Sequence, residues 1–360
     1  MAPRIVIVSE DLVEPWDEGI KKFAFSIGRA LGNDHPVRMI NVDRGGFAAA
    51  RNGAAAGVAP AIHTVAGTRT FMQPALRRAV ATFEPEIVLY VPSPSATVAS
   101  FVRAFALRRH WPRARHGMVA LIPRRHRAGL KPMLRGAAPD VIFVASYASL
   151  LHLSDLSLRG DVVPVGVDLE AFRPAREGEK AALRRAHGVP PDAFVYLHVG
   201  HLSPKRNLVA LARLQREPGA HVIVIGSTST PEDAALRAEL EAAGVSVIRE
   251  VVPVDEFYRL ADGYVFPVID SEGCVEVPLS VVEALASGLP VIARPFGGLR
   301  DFVPPGDDVR YFESDDDMVA HARALQRGPR PRVRDMGDFS WGRVAERMVT
   351  RLRVGGAPSA

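Results

Sequence analysis

The residues with chemistry to offer gather in the second half of the chain. Lys205 and Arg206 follow the run FVYLHV through the turn Gly200-His201-Leu202-Ser203-Pro204 and open a segment of helical pattern. A strand, a glycine turn and a cationic helix start make an anion site, because backbone N–H groups and the helix dipole both face the ligand. A diphosphate fits that description, although solvated surface charges would give the same letters. A second strand-to-helix turn, VIARPFGGLRDFV, sets Gly297 and Gly298 just after an apolar run. Paired glycines let amides approach a phosphate without side-chain obstruction. An ordinary glycine turn reads the same way.

The most informative stretch is SEGCVEVPLSVVEALASGLPVIA, from Ser271 to Ala293. Pro278 suits the first turn of a helix, Leu279, Val282, Leu285 and Ala286 form its apolar stripe, and Gly288 closes it before Pro290. Glu283 stands among these neighbours. A carboxylate midway along a short helix that ends at a sheet edge is placed to accept hydrogen bonds from vicinal hydroxyls, and ribose is the natural candidate. The alternative is an exposed helix glutamate.

The elements that must position these residues alternate short β-branched runs with segments of helical period, the pattern of βαβ units and a mostly parallel sheet. Strands are predicted at 4–8, 86–91, 118–122 and 141–144, and again at 194–199, 221–225, 264–266 and 289–293. In the first half a helix capped by Asp17 carries Ile20, Phe23, Ile27 and Leu31 on one face and stops at Gly32. In the second half helices are predicted near 205–216, 231–243, 255–260 and 278–287. Pro164, Gly166, Pro174, Gly178 and the Pro190-Pro191 pair interrupt the region between the halves, and the boundary is placed near Arg173. The fold class is therefore α/β, with two Rossmann-like domains, 1–172 and 173–338, facing each other across a cleft at the C-terminal ends of their strands. Residues 339–360 form a closing amphipathic helix, with Trp341, Val344 and Met348 on one face, that packs back toward the first domain and ends in a disordered tail.

Composition narrows the partners. The 360 residues contain one cysteine, Cys274, which excludes an intramolecular disulfide and any cysteine-based metal cluster and fits a reducing compartment. The opening MAPRIVIVSED has too short an apolar run for a signal peptide, and no stretch approaches a membrane span. A cytoplasmic protein is expected, with any membrane contact peripheral. The net charge is +5, and the positive residues concentrate at Arg108, Arg109, Arg113, Arg115, Arg124, Arg125 and Arg127, with no acid from Arg103 until Asp140. Phe101, Phe105 and Trp111 interleave with this run, as would suit an anionic lipid surface or a pocket for a phosphorylated acceptor. A solvated helix face reads equally well. No nucleic-acid-binding motif accompanies the charge.

In these ordered features the sequence resembles the retaining GT-B glycosyltransferases of family 4, most firmly from Val162 to Val309. The resemblance rests on Glu283-Ala-Leu-Ala-Ser-Gly-Leu-Pro-Val-Ile, GVDLEAF (166–172), the Gly200–Arg206 turn, FYRLADGYVFPV (257–268) and the glycine pair. It implies transfer of a sugar from a UDP-, GDP- or ADP-linked donor to an acceptor hydroxyl with retention, without a metal or other cofactor. Fixed positive charge and amide dipoles would stabilise the departing diphosphate, with Arg206, Lys205 and Gly298 as its contacts. The family pairs two glutamates with seven residues between, the first on the donor sugar and the second on the ribose. Here ten residues lie between Glu272 and Glu283 and six between Glu276 and Glu283, so neither has that spacing. Glu272 is favoured by its Ser-Glu-Gly context, with Glu276 the alternative. His201 stands where the family commonly has an arginine, and Arg206 matches the family lysine. In the first half Gly19 matches the family's glycine loop near the first helix, and His126, in ALIPRRHR, is the candidate for a catalytic histidine. A lone histidine in a basic loop also reads as a surface residue. Asp315-Asp316-Asp317 is read as a helix-capping loop, not a metal clamp. The competing readings are a GT-B phosphorylase or epimerase, and a partner protein that binds nucleotide-sugar without turnover.

Overall fold

The structure, a computed structural model, describes residues 2–10, 12–43, 60–68, 70–228, 233–269 and 274–354. The chain divides into two compact units, one of residues 1–166 with 341–360 and one of residues 167–340.

The first unit is a seven-stranded sheet of β1 (Ile5–Glu10), β2 (Val37–Asp43), β3 (Ile62–Ala66), β4 (Ile87–Val91), β5 (Arg115–Ala120), β6 (Val141–Val144) and β7 (Gly160–Val162), in the order 3-2-1-4-5-6-7. Every pairing is parallel. Strands flanked on both faces by helices read as unbroken apolar runs, and β1, β4 and β6 are buried throughout. The helix Gly19–Gly32 buries Phe23, Ala24, Ile27 and Leu31. Its N-cap position is Glu18, one residue later than Asp17, and it makes no side-chain capping bond.

The helix Trp341–Val354 packs on Gly19–Gly32 and on β5, burying Trp341, Val344, Ala345, Met348, Val349 and Leu352. Trp341 is pressed so closely to Gly166 that a Cβ there would lie 2.3 Å from the indole. Any side chain at 166 would displace that ring.

The second unit is a six-stranded parallel sheet of β8 (Phe194–Gly200), β9 (Ala220–Gly226), β10 (Ser246–Ile248), β11 (Gly263–Phe266), β12 (Val291–Ala293) and β13 (Val309–Tyr311), in the order 10-9-8-11-12-13. Numbered within the unit this is 3-2-1-4-5-6, the dinucleotide-fold order, in which the chain reverses direction across the sheet between the first and fourth strands. β8 and β11 are that pair; Gly200 ends β8, and His201, Lys205 and Arg206 follow it. The proline-rich approach to β8 is fixed by Arg184, which is buried and donates to the carbonyls of Leu260, Pro191 and Ala193 and to the Asp262 carboxylate.

Candidate functional site

Glu283 lies in the helix Leu279–Ala286, whose residues are buried apart from Ser280. Pro278 occupies the N-cap in an extended conformation, and Gly288 turns the chain into β12 at φ +74°. Such surroundings make a carboxylate costly unless it is hydrogen-bonded. Glu283 is 4% exposed, and its Oε2 lies 3.1 Å from the Tyr258 hydroxyl. That hydroxyl is also 3.2 Å from the Ser280 carbonyl, so its single hydrogen serves one acceptor at a time. Burial and the Glu283 charge push Tyr258 well above the ordinary tyrosine range, which keeps it a donor. The alternative of an exposed helix glutamate fails.

Glu276 is also buried, and its backbone carries the glycine turn. Gly298 N–H donates to the Glu276 carbonyl at 3.0 Å, and a Cβ on Gly297, which has φ +49°, would lie 2.4 Å from that oxygen. The glycine pair thus lets this turn close on Glu276. The Gly298 amide, expected to face a phosphate, is engaged within the protein. Glu272 lies outside the described residues.

Lys205 and Arg206 do not begin the helix the sequence pattern predicts. Pro204–Arg206 is a single 3-10 turn, Asn207 takes φ +53°, a second 3-10 turn spans Leu208–Ala210, and only Leu211–Gln215 is α-helical. A left-handed residue breaks the alignment of peptide dipoles, so no helix dipole stands behind these two cations. What they offer is side-chain charge: Lys205 is exposed and Arg206 and His201 are half-buried.

Arg206 points back over β8. A Cβ on Gly200 would lie 3.4 Å from Arg206 Nη1 and 3.1 Å from His198 Nε2. The Arg206 charge acts on the buried Cys274 thiol, which burial pushes upward, and on the Tyr264 hydroxyl, which burial also raises. Tyr264 in turn feels Glu283 and stacks on Tyr258 at 5.8 Å. Tyr264, Tyr258 and Glu283 thus form a buried patch beside the β8–β11 pair, with the carboxylate at one end and the Arg206 charge acting on the other. The sequence reading singled out the two ends and missed His198 and both tyrosines. The available signal was a histidine inside an otherwise apolar strand run.

In the first unit Gly19 is the first residue of its helix. His126 is half-buried: its N–H donates to His152 Nε2 at 3.1 Å, and its ring stacks on His152 at 6.0 Å and meets Phe101 edge-on at 5.7 Å. Burial lowers its pKa. The basic run is less of a surface than expected. Arg103 is buried and paired with Glu10 at 2.7 Å, and Phe101 and Trp111 belong to the core, which leaves Phe105 as the exposed aromatic of the three. A cavity of about 410 Å³ is lined by Arg108, Arg109, Arg113 and Arg115. Arg115 begins β5, so this cavity lies at the N-terminal edge of the sheet. Ligands of such sheets bind at the opposite edge.

Among the described residues no three His, Cys, Asp or Glu side chains converge as a metal site. Asp317 forms a capping box with Ser314, and Asp315 and Asp316 pair with Arg294 and Arg213. Nor is any helix among them long and apolar enough to cross a membrane.

Comparison with known proteins assigns this second unit. Residues 193–327 match the family model described as glycosyl transferases group 1. D-inositol 3-phosphate glycosyltransferase of Geodermatophilus obscurus is 34% identical over 215 residues, covering 52% of this chain and 46% of that protein. The Mycobacterium tuberculosis protein of the same name is 32% identical over 229 residues, covering 56% and 45%. The chain thus spans just under half the length of the curated relatives it matches. Among solved structures, a glycosyltransferase from Rickettsia africae superposes with a TM-score of 0.75 at 13% identity, covering 98% of both chains. The Anabaena protein HepE, in complex with UDP-glucose, superposes at 0.68 and 16% identity, covering 98% of this chain and all of that one. At such identities the likeness speaks for the fold. Residues 193–327, most of the second unit, are thus similar to the glycosyl transferases group 1 family, and the chain has the two Rossmann-like domains of the GT-B fold.

Proposed function

We propose that this chain transfers a sugar from a nucleotide-sugar donor to an acceptor hydroxyl with retention of the anomeric configuration, and that its second unit holds the donor. The observation that carries the reading is Glu283, a carboxylate buried beside Tyr258 at one end of the patch whose other end the Arg206 charge acts on. A buried anion is retained where it has partners to serve, and vicinal ribose hydroxyls are suitable ones. At the other end Arg206, assisted by Lys205 and His201, supplies the positive charge that a departing diphosphate requires. Loss of the diphosphate from the anomeric carbon leaves an oxocarbenium-like centre. The acceptor oxygen then bonds to that carbon from the same face, and its proton passes to a leaving-group oxygen. No metal or other cofactor takes part in this scheme. Glu276 or Glu272 would contact the donor sugar. Acceptor choice falls to the first unit, where Gly19 and His126 are the candidate contacts.

The relatives named for D-inositol 3-phosphate make a phosphorylated cyclitol the first acceptor to try, and HepE makes UDP-glucose the first donor. The test is binding and transfer with UDP-, GDP- and ADP-sugars, with Glu283→Ala and Arg206→Ala alongside. Each variant should weaken nucleotide binding about tenfold or more, since hydrogen bonds to charged groups contribute ~1.5–3 kcal/mol. Nucleotide affinity unchanged in Glu283→Ala would remove the ribose role. Nucleotide binding without turnover of any donor would favour the non-catalytic partner.

A further inference from the structure

His198 is a second functional group in this patch that the scheme above does not use. It sits on β8 with no exposed surface, its ring 6.1 Å from Tyr264 and 6.2 Å from Phe266. An apolar side chain would fill such a position without a polar atom to satisfy. His198 satisfies only one of its two. Nδ1 lies 2.9 Å from the Val265 carbonyl, and since a carbonyl only accepts, Nδ1 must carry the hydrogen. In the neutral ring Nε2 then bears a lone pair, and among the described residues this buried nitrogen has no hydrogen-bond partner. Leaving such an atom unpaired costs about 1–3 kcal/mol.

Its direction is defined by Gly200. The Cβ that glycine lacks would stand 3.1 Å from His198 Nε2 and 3.4 Å from Arg206 Nη1, so an acceptor and a cationic donor both lie close against this glycine. No ion pair occupies Arg206 among the described residues, and its charge joins burial in holding His198 neutral, with the pKa pushed down to about 4. A phosphate oxygen, which has no hydrogen to give, suits Arg206 but not Nε2. A hydroxyl suits both: it donates to Nε2 while its oxygen accepts from the guanidinium.

We propose that His198 is a specificity contact of the donor site: its Nε2 accepts a hydrogen bond from a hydroxyl of the bound nucleotide-sugar, whose oxygen is held at the same time by Arg206 over Gly200. The proposal rests on the reading of the second unit as the donor domain. It gives that site a means of requiring a hydroxyl, because a ligand without it leaves Nε2 buried and unpaired.

The test is the ¹⁵N resonance of His198 Nε2 in the full-length protein, followed as UDP and then UDP-glucose are added, with binding measured in parallel by calorimetry. The resonance is expected at the position of a non-bonded lone pair in the ligand-free protein and to move upfield on binding. A shift produced by UDP assigns the hydroxyl to the ribose, and a shift that needs UDP-glucose assigns it to the sugar. Gly200→Ala, which sets a methyl group against both, should weaken binding of the same ligand about tenfold and abolish the shift. A resonance already at the bonded position and unmoved by a ligand that binds would mean a resident water and overturn the proposal. So would a non-bonded resonance that saturating ligand leaves in place. If calorimetry shows no binding of UDP-, GDP- or ADP-sugars, the donor reading itself falls, and the proposal with it.

Discussion

Glu283 and His198 are opposite solutions to burial in the same patch. The carboxylate keeps its place by hydrogen bonding to Tyr258, so Tyr258→Phe should weaken nucleotide binding less than Glu283→Ala does, because the phenylalanine ring fills the same volume and removes only one of the carboxylate's partners. Titration calorimetry of the two variants checks the order. The imidazole keeps its place by remaining neutral, which has a consequence for stability. Its pKa is about 4 in the folded chain against ~6.5 unfolded. As pH falls from about 6.5 to about 4 the unfolded chain takes up the proton first, so His198 makes the protein progressively less stable across that window, by at most roughly 3 kcal/mol. His198→Phe should flatten the fall of the thermal-unfolding midpoint between pH 6.5 and 4 while leaving its behaviour above pH 7 alone. An unchanged acid slope would mean that another group sets it.

At the scale of elements, two devices hold the patch and the first unit in shape. The turn at Gly297 closes on the Glu276 backbone in a conformation unfavourable for other residues. Gly297→Ala combines that strain with a backbone collision and should cost at least ~2 kcal/mol, seen as a lower unfolding midpoint together with weaker nucleotide binding. The helix Trp341–Val354 returns to the first unit and seats Trp341 against Gly166. Trp341→Ala should cost about 3–5 kcal/mol by the cavity it opens and leave the nucleotide affinity of the second unit nearly unchanged.

Elements were legible in the sequence where burial makes an apolar run continuous, as in β4, β6, β8 and β11. The five strands it did not reveal were β2, β3, β7, β10 and β13. Of these β7, β10 and β13 have only three residues each, too few for a period to register, and β2 and β3 carry polar residues among their apolar ones. The helix expected from Lys205 failed for a different reason: Asn207 turns left-handed, a conformation asparagine tolerates better than most residues but does not by itself require. Motif positions fared better than their local geometry. Glu283 was identifiable from its surroundings, whereas the engagement of the Gly298 amide by Glu276 depends on contacts some twenty residues apart in sequence.

Across the whole molecule, the arginine cluster and the proposed donor site belong to different units. The arginine-lined cavity of the first unit lies at the N-terminal edge of β5, whereas the patch of the second unit lies beside β8 and β11. Replacing Arg108, Arg109 and Arg113 with glutamine should therefore leave nucleotide affinity within twofold of the parent, as measured by calorimetry, if the second unit holds the donor. The net positive charge therefore says little about donor binding, because the clustered arginines belong to the first unit and the proposed donor contacts to the second.

The central claim is transfer with retention, and the anomeric configuration of the product tests it most directly. Incubated with α-linked nucleotide-sugars, UDP-glucose first, and with a phosphorylated cyclitol among the acceptors, the protein should yield an α-glycoside identifiable by its anomeric proton coupling in NMR, and Glu283→Ala should reduce its rate of formation. A β-glycoside, or donors that bind and are never consumed, would contradict the account.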